Sequence, residues 1–480
     1  MNTATLTTFV IYLIGMLALG LIAWRATNSM SDYILGGRSL GPAVAALSAG
    51  ASDMSGWLLL GLPGAFYLSG MNQIWIVVGL LLGAFANWHF VAARLRRFSA
   101  RLDDSLTLPD YLERRFGDDS RLLRLISALV ILLFFTFYVS SGMVSGALLF
   151  EKSFGLPYQT ALLVGAAVIV SYTFLGGFLA VSWTDFVQGL LMLAALVVTP
   201  AVLIGELGGW SQFIATIESS RPAALDPFHE TGLLAAISLL AWGLGYFGQP
   251  HILARFMGIR SADEMHKAKY IGMSWMLLSM AGAMLIGLAG LVWYAASPLD
   301  NGETVMIALT QTLFNPWVAG VLLAAILAAI MSTIDSQLLV SASAVAEDLY
   351  RGFLRPGAGQ RELVIVSRMA VLAVALLAGL LALDPKSSVL SLVGYAWAGF
   401  GAAFGPVILL SLLWRGMTRN GALAGMVVGA LMVVAWGNLS GGIFDLYELA
   451  PGFLFAALAI VLVSRFGPAP ASETLAVFDE

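Results

Sequence analysis

Apolar residues run along this chain in blocks of about 20, the length needed to cross a bilayer as a helix, and charges, Pro/Gly clusters and short polar turns separate them. Cut at those interruptions, the pattern predicts about thirteen membrane-spanning helices. They cover approximately 6–24, 42–70, 73–93, 124–149, 158–178, 183–204, 232–253, 271–297, 314–342, 364–383, 387–413, 420–437 and 448–464. The expected class is an all-α integral membrane protein with no appended soluble domain. Residues 94–123 form the longest loop, and the tail Gly467–Glu480, Pro/Ala-rich and slightly acidic, reads as disordered.

The basic residues test this count independently, because cytoplasmic loops are enriched in Lys and Arg. Of the 24 lysines and arginines, all but Lys152, Arg221, Lys386 and Arg368 fall in alternate loops. Those loops carry Arg25 and Arg38, the run from Arg94 to Arg124, then Arg255 to Lys269, Arg351 to Arg361, Arg415 with Arg419, and finally Arg465. An error of one span would scramble the alternation. An odd number of spans follows, with the N-terminus outside and the C-terminus cytoplasmic.

Composition narrows the class further. The chain is 59% hydrophobic and 11% charged, against about 25% charged in a typical globular protein, too few charges to cover a soluble surface. A net charge of −4 without a basic face argues against nucleic-acid binding. The absence of cysteine removes disulfides, thiolate metal sites and cysteine nucleophiles. The first basic residue is Arg25, so residues 6–24 read as a retained span rather than a signal peptide. A literal GxGxxG, Gly243–Gly248, lies inside a span and lacks the strand a dinucleotide fingerprint requires; there is no Walker sequence, and the four histidines are too scattered for a metal site.

Two spans depart from the rest. The second reads SAGASDMSGWLLLGLPGA (48–65) and places Asp53 among small residues, Gly and Pro63 at membrane depth. The seventh reads WGLGYFGQP (242–250). Glycine and proline weaken the backbone ladder, and free polar backbone groups in lipid are costly unless they line a cavity, so both spans are expected to be unwound midway. Being five apart, they cross in opposite directions. This is the signature of two inverted five-helix repeats, spans 2–6 and 7–11, with a binding site between the broken helices. Close packing of glycine-rich helices is the plainer reading, but it accounts for neither the matched positions nor an aspartate whose burial costs roughly 2.5–3.5 kcal/mol. In the ninth span, Ser332, Asp335 and Ser336 share a face with Thr333 beside it, and such a face must look into protein or water.

The segments 36–65 (GGRSLGPAVAALSAGASDMSGWLLLGLPGA), 106–116 (LTLPDYLERRF), 174–188 (FLGGFLAVSWTDFVQ), 242–257 (WGLGYFGQPHILARFM), 326–333 (ILAAIMST) and SYTFLGG resemble the sodium:solute symporter family, its bacterial proline-transporting members in particular. The likeness runs from about residue 8 to 465. It implies thirteen spans around a leucine-transporter-like 5+5 inverted-repeat core with helices 2 and 7 broken. The divisions are then 1–41, an N-terminal span and loop; 42–204 and 232–413, the two repeats; 414–465, two peripheral spans; and 466–480, the tail.

The resemblance also implies a secondary active transporter, not an enzyme, that imports L-proline with Na+ by alternating access across the bacterial cytoplasmic membrane. No catalytic residue, organic cofactor, nucleic acid or obligatory protein partner is called for; the partners are proline, sodium and the lipid bilayer. The cation site is similar to backbone carbonyls of Ala51, Met54 and Ala329 with the hydroxyls of Ser332 and Thr333, Asp53 being nearby. The proline site is similar to Ser55, Gly56, Tyr138, Trp242, Tyr246 and Pro250, although the three aromatic residues also fit a packing role. Arg38 and Asp185 match positions tied to ion coupling, Arg38 reading equally as a cytoplasmic anchor. Asp335 has three readings: a second cation ligand with Ser332, Ser336 and Asp185; a structural partner for an arginine; or, with Ser336, a residue beside the exit path. Two rival functions stay open, a sodium- or proton-coupled symporter of another small solute such as pantothenate, a monocarboxylate or another amino acid, and a channel.

Overall fold

The structure is a computed structural model that describes residues 3–24, 30–173, 177–384 and 388–470, with the isolated positions 475 and 478. Arg25, Lys386, most of the tail, and Phe174–Gly176 of the 174–188 segment therefore lie outside the described residues. Among the described residues helix is the sole regular structure, apart from one β-bridge between Leu40 and Ile259.

Among the described residues ten helices are long and apolar enough to cross a membrane, eleven when the bent pair Leu233–Gly248 and Pro250–Gly258 counts as one. The run Pro42–Arg101 is 60 residues long. Straight, it would reach about 90 Å, three times the hydrocarbon thickness, but Gly70 at φ 73° breaks it between two of the expected spans. Dividing it there and adding the short apolar helix Tyr158–Thr173 recovers the thirteen spans of the hydropathy pattern.

Local chemistry sets the helix starts. Pro42, Pro250 and Pro316 each occupy a first helical turn, where a missing N–H costs nothing. Asn315 accepts from the N–H groups of Trp317 and Val318 to cap Pro316–Ser343, and Thr107 caps Leu108–Phe116 through the Asp110 N–H. Asp118 accepts from the Leu123 N–H (2.7 Å) at the start of Leu122–Phe154 and from Arg419 Nε (2.6 Å), tying the fourth span to the twelfth.

Both predicted breaks are present and differ in kind. In span 2 the helix Pro42–Gly56 kinks at Ser55 (φ 50°, ψ −170°), and a π-helical turn Trp57–Gly61 leads into Leu62–Ser69. In span 7 the helix Leu233–Ala241 passes into a 3-10 segment, Trp242–Gly248, then extended Gln249 and the helix Pro250–Gly258, with a 45° bend. Gly243 and Gly83 bring spans 7 and 3 so close that a Cβ on either would collide with the other span's backbone.

The most enclosed spans are the ninth, Pro316–Ser343, and the eleventh, Val389–Leu413; the first, twelfth and thirteenth bury least. Large apolar side chains such as Ile22, Leu163, Leu376 and Leu431 face outward, as a lipid-facing surface requires. The arginine-bearing loops gather at one end. Arg38 donates to Met257 O (2.7 Å), Arg96 to Ile259 O (2.6 Å), Arg121 to Gly352 O and Arg419 to Asp118.

Candidate functional site

The break in span 2 delivers two kinds of group within three residues. The Ala51 carbonyl accepts from Ser332 Oγ (2.9 Å) and from Thr333 Oγ1 (3.4 Å), and Ser332 also donates to Ala329 O (3.1 Å). Four oxygens from spans 2 and 9 thus converge in a fully enclosed spot, the hard-donor set that suits a small monovalent cation. The Met54 carbonyl, the fifth expected ligand, accepts from the Trp57 N–H.

Two residues beyond Ala51, the chain turns to a different neighbourhood. Asp53 Oδ2 accepts from the Tyr246 hydroxyl (2.6 Å), and the Asp53 carbonyl accepts from the Tyr138 hydroxyl (3.2 Å). These residues line a small cavity with Met54, Trp57, Leu80, Trp242, Val393 and Trp397. Its walls are mainly aromatic, with one carboxylate and two phenol hydroxyls as polar groups. The N-terminal turn of the half-helix that begins at Trp57 borders it, adding partial positive charge.

Of the six residues expected at the substrate site, Tyr138, Trp242 and Tyr246 face this cavity, and Ser55, Gly56 and Pro250 do not line it. The Ser55 hydroxyl accepts from the Trp57 N–H (3.0 Å) and braces the kink. Gly56 lets span 2 approach Ser145 and Ile330, where a Cβ would sit 2.7 Å from Ser145 Oγ. Pro250 starts its half-helix and lines a second cavity, with Thr107, Phe178 and Asp348, toward the arginine-rich end.

Trp57, Leu80, Val393 and Trp397 went unrecognised in the sequence. Trp57 had a signal, since it ends the ASDMSGW segment; Trp397 had none, being one aromatic residue in an apolar span. Its indole N–H donates to Trp242 O (2.7 Å), and its own carbonyl accepts from Gln249 (3.2 Å), so it satisfies both ends of the unwound stretch of span 7.

A charged cluster continues from the hydroxyl site. Ser336 Oγ donates to Ser332 O (2.8 Å) and accepts from Arg255 (2.5 Å); Arg255 pairs with Asp185 (3.1 Å), which also accepts from Ser48 (2.7 Å). Arg255, which the charge pattern places in a cytoplasmic loop, instead lies fully buried in Pro250–Gly258. The helix carries it inward, where a carboxylate and two hydroxyls compensate its charge. Among the described residues Asp335 pairs with no arginine: Thr173 donates to its Oδ1, and its Oδ2 has no hydrogen-bond partner. Arg38 bridges loops instead, donating to Ser99 Oγ (3.1 Å) and Ser105 O (2.9 Å) and pairing with Asp104 (2.6 Å). Burial pushes its pKa below the usual guanidinium value, against the pull of Asp104.

A family model described as the sodium:solute symporter family matches residues 33–429. The chain belongs to the sodium:solute symporter family. Within it, this family member is 56% identical to the sodium/proline symporter of Salmonella typhimurium, over 98% of this chain and 94% of that one. The corresponding figures are 55% for the sodium/proline symporter of Escherichia coli, over 100% and 96%, and 53% for a high-affinity proline transporter of Bacillus subtilis, over 97% and 98%. Among solved structures, a Na+-coupled sialic acid symporter in a substrate-bound outward-open state superposes with a TM-score of 0.83 at 20% identity, covering 98% of this chain and 99% of that one. A closed nucleobase-cation-symport-1 family transporter, MHP1, gives 0.58 at 15% identity, covering 94% and 98%. At such identities the structural likeness carries the fold alone. It is the leucine-transporter-like fold of a secondary transporter built around broken helices 2 and 7.

Proposed function

We propose that this protein imports L-proline together with Na+ by alternating access. One observation carries the reading: residues 51–54 supply a carbonyl to the Ser332/Thr333 oxygen cluster and a carboxylate to the aromatic cavity. Occupying either place fixes the same kinked stretch, and that shared stretch couples cation to solute. Aromatic walls suit the pyrrolidine ring, Asp53 with the Tyr246 hydroxyl suits the secondary ammonium, and the half-helix terminus at Trp57 suits the carboxylate. Relatives named as sodium/proline symporters, more than half identical over nearly the whole length, support this substrate over pantothenate or a monocarboxylate.

We assign the cation to Ala51, Ala329, Ser332 and Thr333, with Met54 completing the shell, and residues 42–204 and 232–413 to the two repeats. The gathering of arginine-bearing loops at one end supports a cytoplasmic C-terminus and an external N-terminus in the bacterial inner membrane. The Ser332–Ser336–Arg255–Asp185 chain runs from the cation ligands toward that end, so Asp185 and Asp335 flank the inward exit.

Proline is a net-neutral zwitterion, so one co-transported Na+ carries one charge. A potential of 100 mV then contributes roughly 2.3 kcal/mol, about 50-fold in accumulation. Counterflow and uptake of labelled proline in proteoliposomes test this. Uptake should require Na+ and rise with an inside-negative potential; equal uptake in sodium and choline buffers overturns the reading.

A further inference from the structure

Two other rings stack against the Trp242 ring. Trp57 stacks on it at 5.9 Å and 23°, and Tyr447 stacks on it at 5.2 Å and 19°. Trp57 and Trp242 belong to the two broken spans, whereas Tyr447 precedes the helix Leu449–Phe466 and lies outside both proposed repeats. Three anchors fix it. Its hydroxyl donates to Gly394 O (2.5 Å), next to cavity-lining Val393. Its backbone N–H donates to Ser238 Oγ (3.0 Å), one helical turn before Trp242. The preceding carbonyl, Leu446 O, accepts from Trp436 Nε1 (2.9 Å). Span 11 lies against the same ring: a Cβ at Gly394 would be in ordinary contact with Trp242, at 3.4 Å.

We propose that Tyr447 is a positioning residue for transport: it presses Trp242 into place as the outward wall of the substrate cavity, so the segment before span 13 completes a cage the two repeats leave open. The inference rests on the cavity being the proline site and on the orientation proposed above, in which residues 437–448 face the outside. Without the Tyr447 ring, the Trp242 ring keeps one stacking partner and swings more readily. The cage then loses grip on the substrate and opens outward more often, while the Ser332/Thr333 cluster, on the other side of the Ala51–Met54 stretch, is untouched.

The chain has no cysteine, so Val393→Cys places a single thiol in the cavity without background. In right-side-out vesicles, its labelling by a membrane-impermeant maleimide should be slowed by proline with Na+. Adding Tyr447→Leu should speed labelling several-fold. In transport assays Tyr447→Leu should raise the proline KM about three- to tenfold with maximal rate and sodium half-saturation unchanged. Tyr447→Phe, which keeps the ring, should restore most of the affinity. Ser238→Ala, a milder loss of the backbone anchor, should shift KM the same way by a smaller factor. Unchanged labelling and KM in Tyr447→Leu, with proline protection intact, overturns the role of Tyr447 alone. Absence of proline protection in Val393→Cys itself overturns the cavity assignment and this proposal with it.

Discussion

The Tyr246 hydroxyl donates to Asp53 Oδ2 across 2.6 Å, joining the unwound stretch of span 7 to the kink of span 2. It is a direct side-chain link between the two broken helices, and it sits two residues from the carbonyl that meets the hydroxyl cluster of span 9. Hydrogen bonds to charged groups contribute about 1.5–3 kcal/mol, so this contact is worth about tenfold or more in an equilibrium.

Asp53→Asn is therefore expected to weaken both ligands. The carboxylate faces the aromatic cavity while its own chain segment shapes the proposed cation site. Apparent affinities for proline and Na+ should each fall about tenfold or more, and Tyr246→Phe should reproduce the proline loss with a smaller sodium effect. Sodium and proline titrations of uptake check this; a wild-type sodium titration in Asp53→Asn contradicts it.

Ser332→Ala should raise the sodium half-saturation more than Thr333→Ala does, because Ser332 Oγ lies at 2.9 Å from the Ala51 carbonyl and also reaches Ala329 O, whereas Thr333 Oγ1 is at 3.4 Å. At saturating Na+ both variants should bind proline nearly as well as the parent. A proline defect that excess sodium fails to correct would remove these hydroxyls from the cation site.

Trp397→Phe keeps a ring in the cavity but removes the indole donor from the Trp242 carbonyl, which retains its bond within the 3-10 turn. Losing one of two hydrogen bonds to a carbonyl costs about 0.5–1.5 kcal/mol, so the unwound stretch should lose definition and the proline KM should rise about two- to tenfold with sodium dependence retained. Paired proline and sodium titrations read the outcome.

Asp335→Asn should slow turnover while leaving equilibrium proline binding in saturating Na+ nearly unchanged, since Thr173 rather than a cation ligand holds its Oδ1. Loss of sodium-dependent proline binding in detergent would instead place Asp335 in the obligatory coordination shell.

Asp118, in the loop before the fourth span, gives a pH signature. Burial raises its pKa, but hydrogen bonds from Ser120, the Leu123 N–H and Arg419 outweigh that and hold it below the usual carboxylate range. A depressed folded-state pKa stabilises the protein above the unfolded value, about 3.9, and the benefit disappears as pH falls through the folded pKa. Asp118→Ala should cost about 1–2 kcal/mol of stability at pH 7, with the gap to the parent narrowing below about pH 4 in thermal unfolding.

Periodicity and composition determined much of this protein without help. A run of 20 apolar residues has one stable outcome in lipid, a hydrogen-bonded helix, so the spans could be counted from the sequence. Loop arginines fixed their alternation, and Gly and Pro beside Asp53 and in 242–250 marked where two helices give way, because those residues weaken the ladder wherever they fall. The proposed cation ligands Ala51, Ser332 and Thr333 came from the family resemblance; local features marked only the break that follows Ala51 and the polar face of Ser332, Asp335 and Ser336 in the ninth span. What only the tertiary structure decided is which surfaces meet. Arg255 looked like a loop arginine until the Pro250–Gly258 helix carried it against Asp185; Trp397 was one ring in an apolar span until its indole met the Trp242 carbonyl; and Tyr447 sits some 200 residues from its stacking partner. Lipid imposes the same apolar pattern on every span and leaves no local trace of the partner a ring or an arginine will find, so those contacts emerge only when the helices pack.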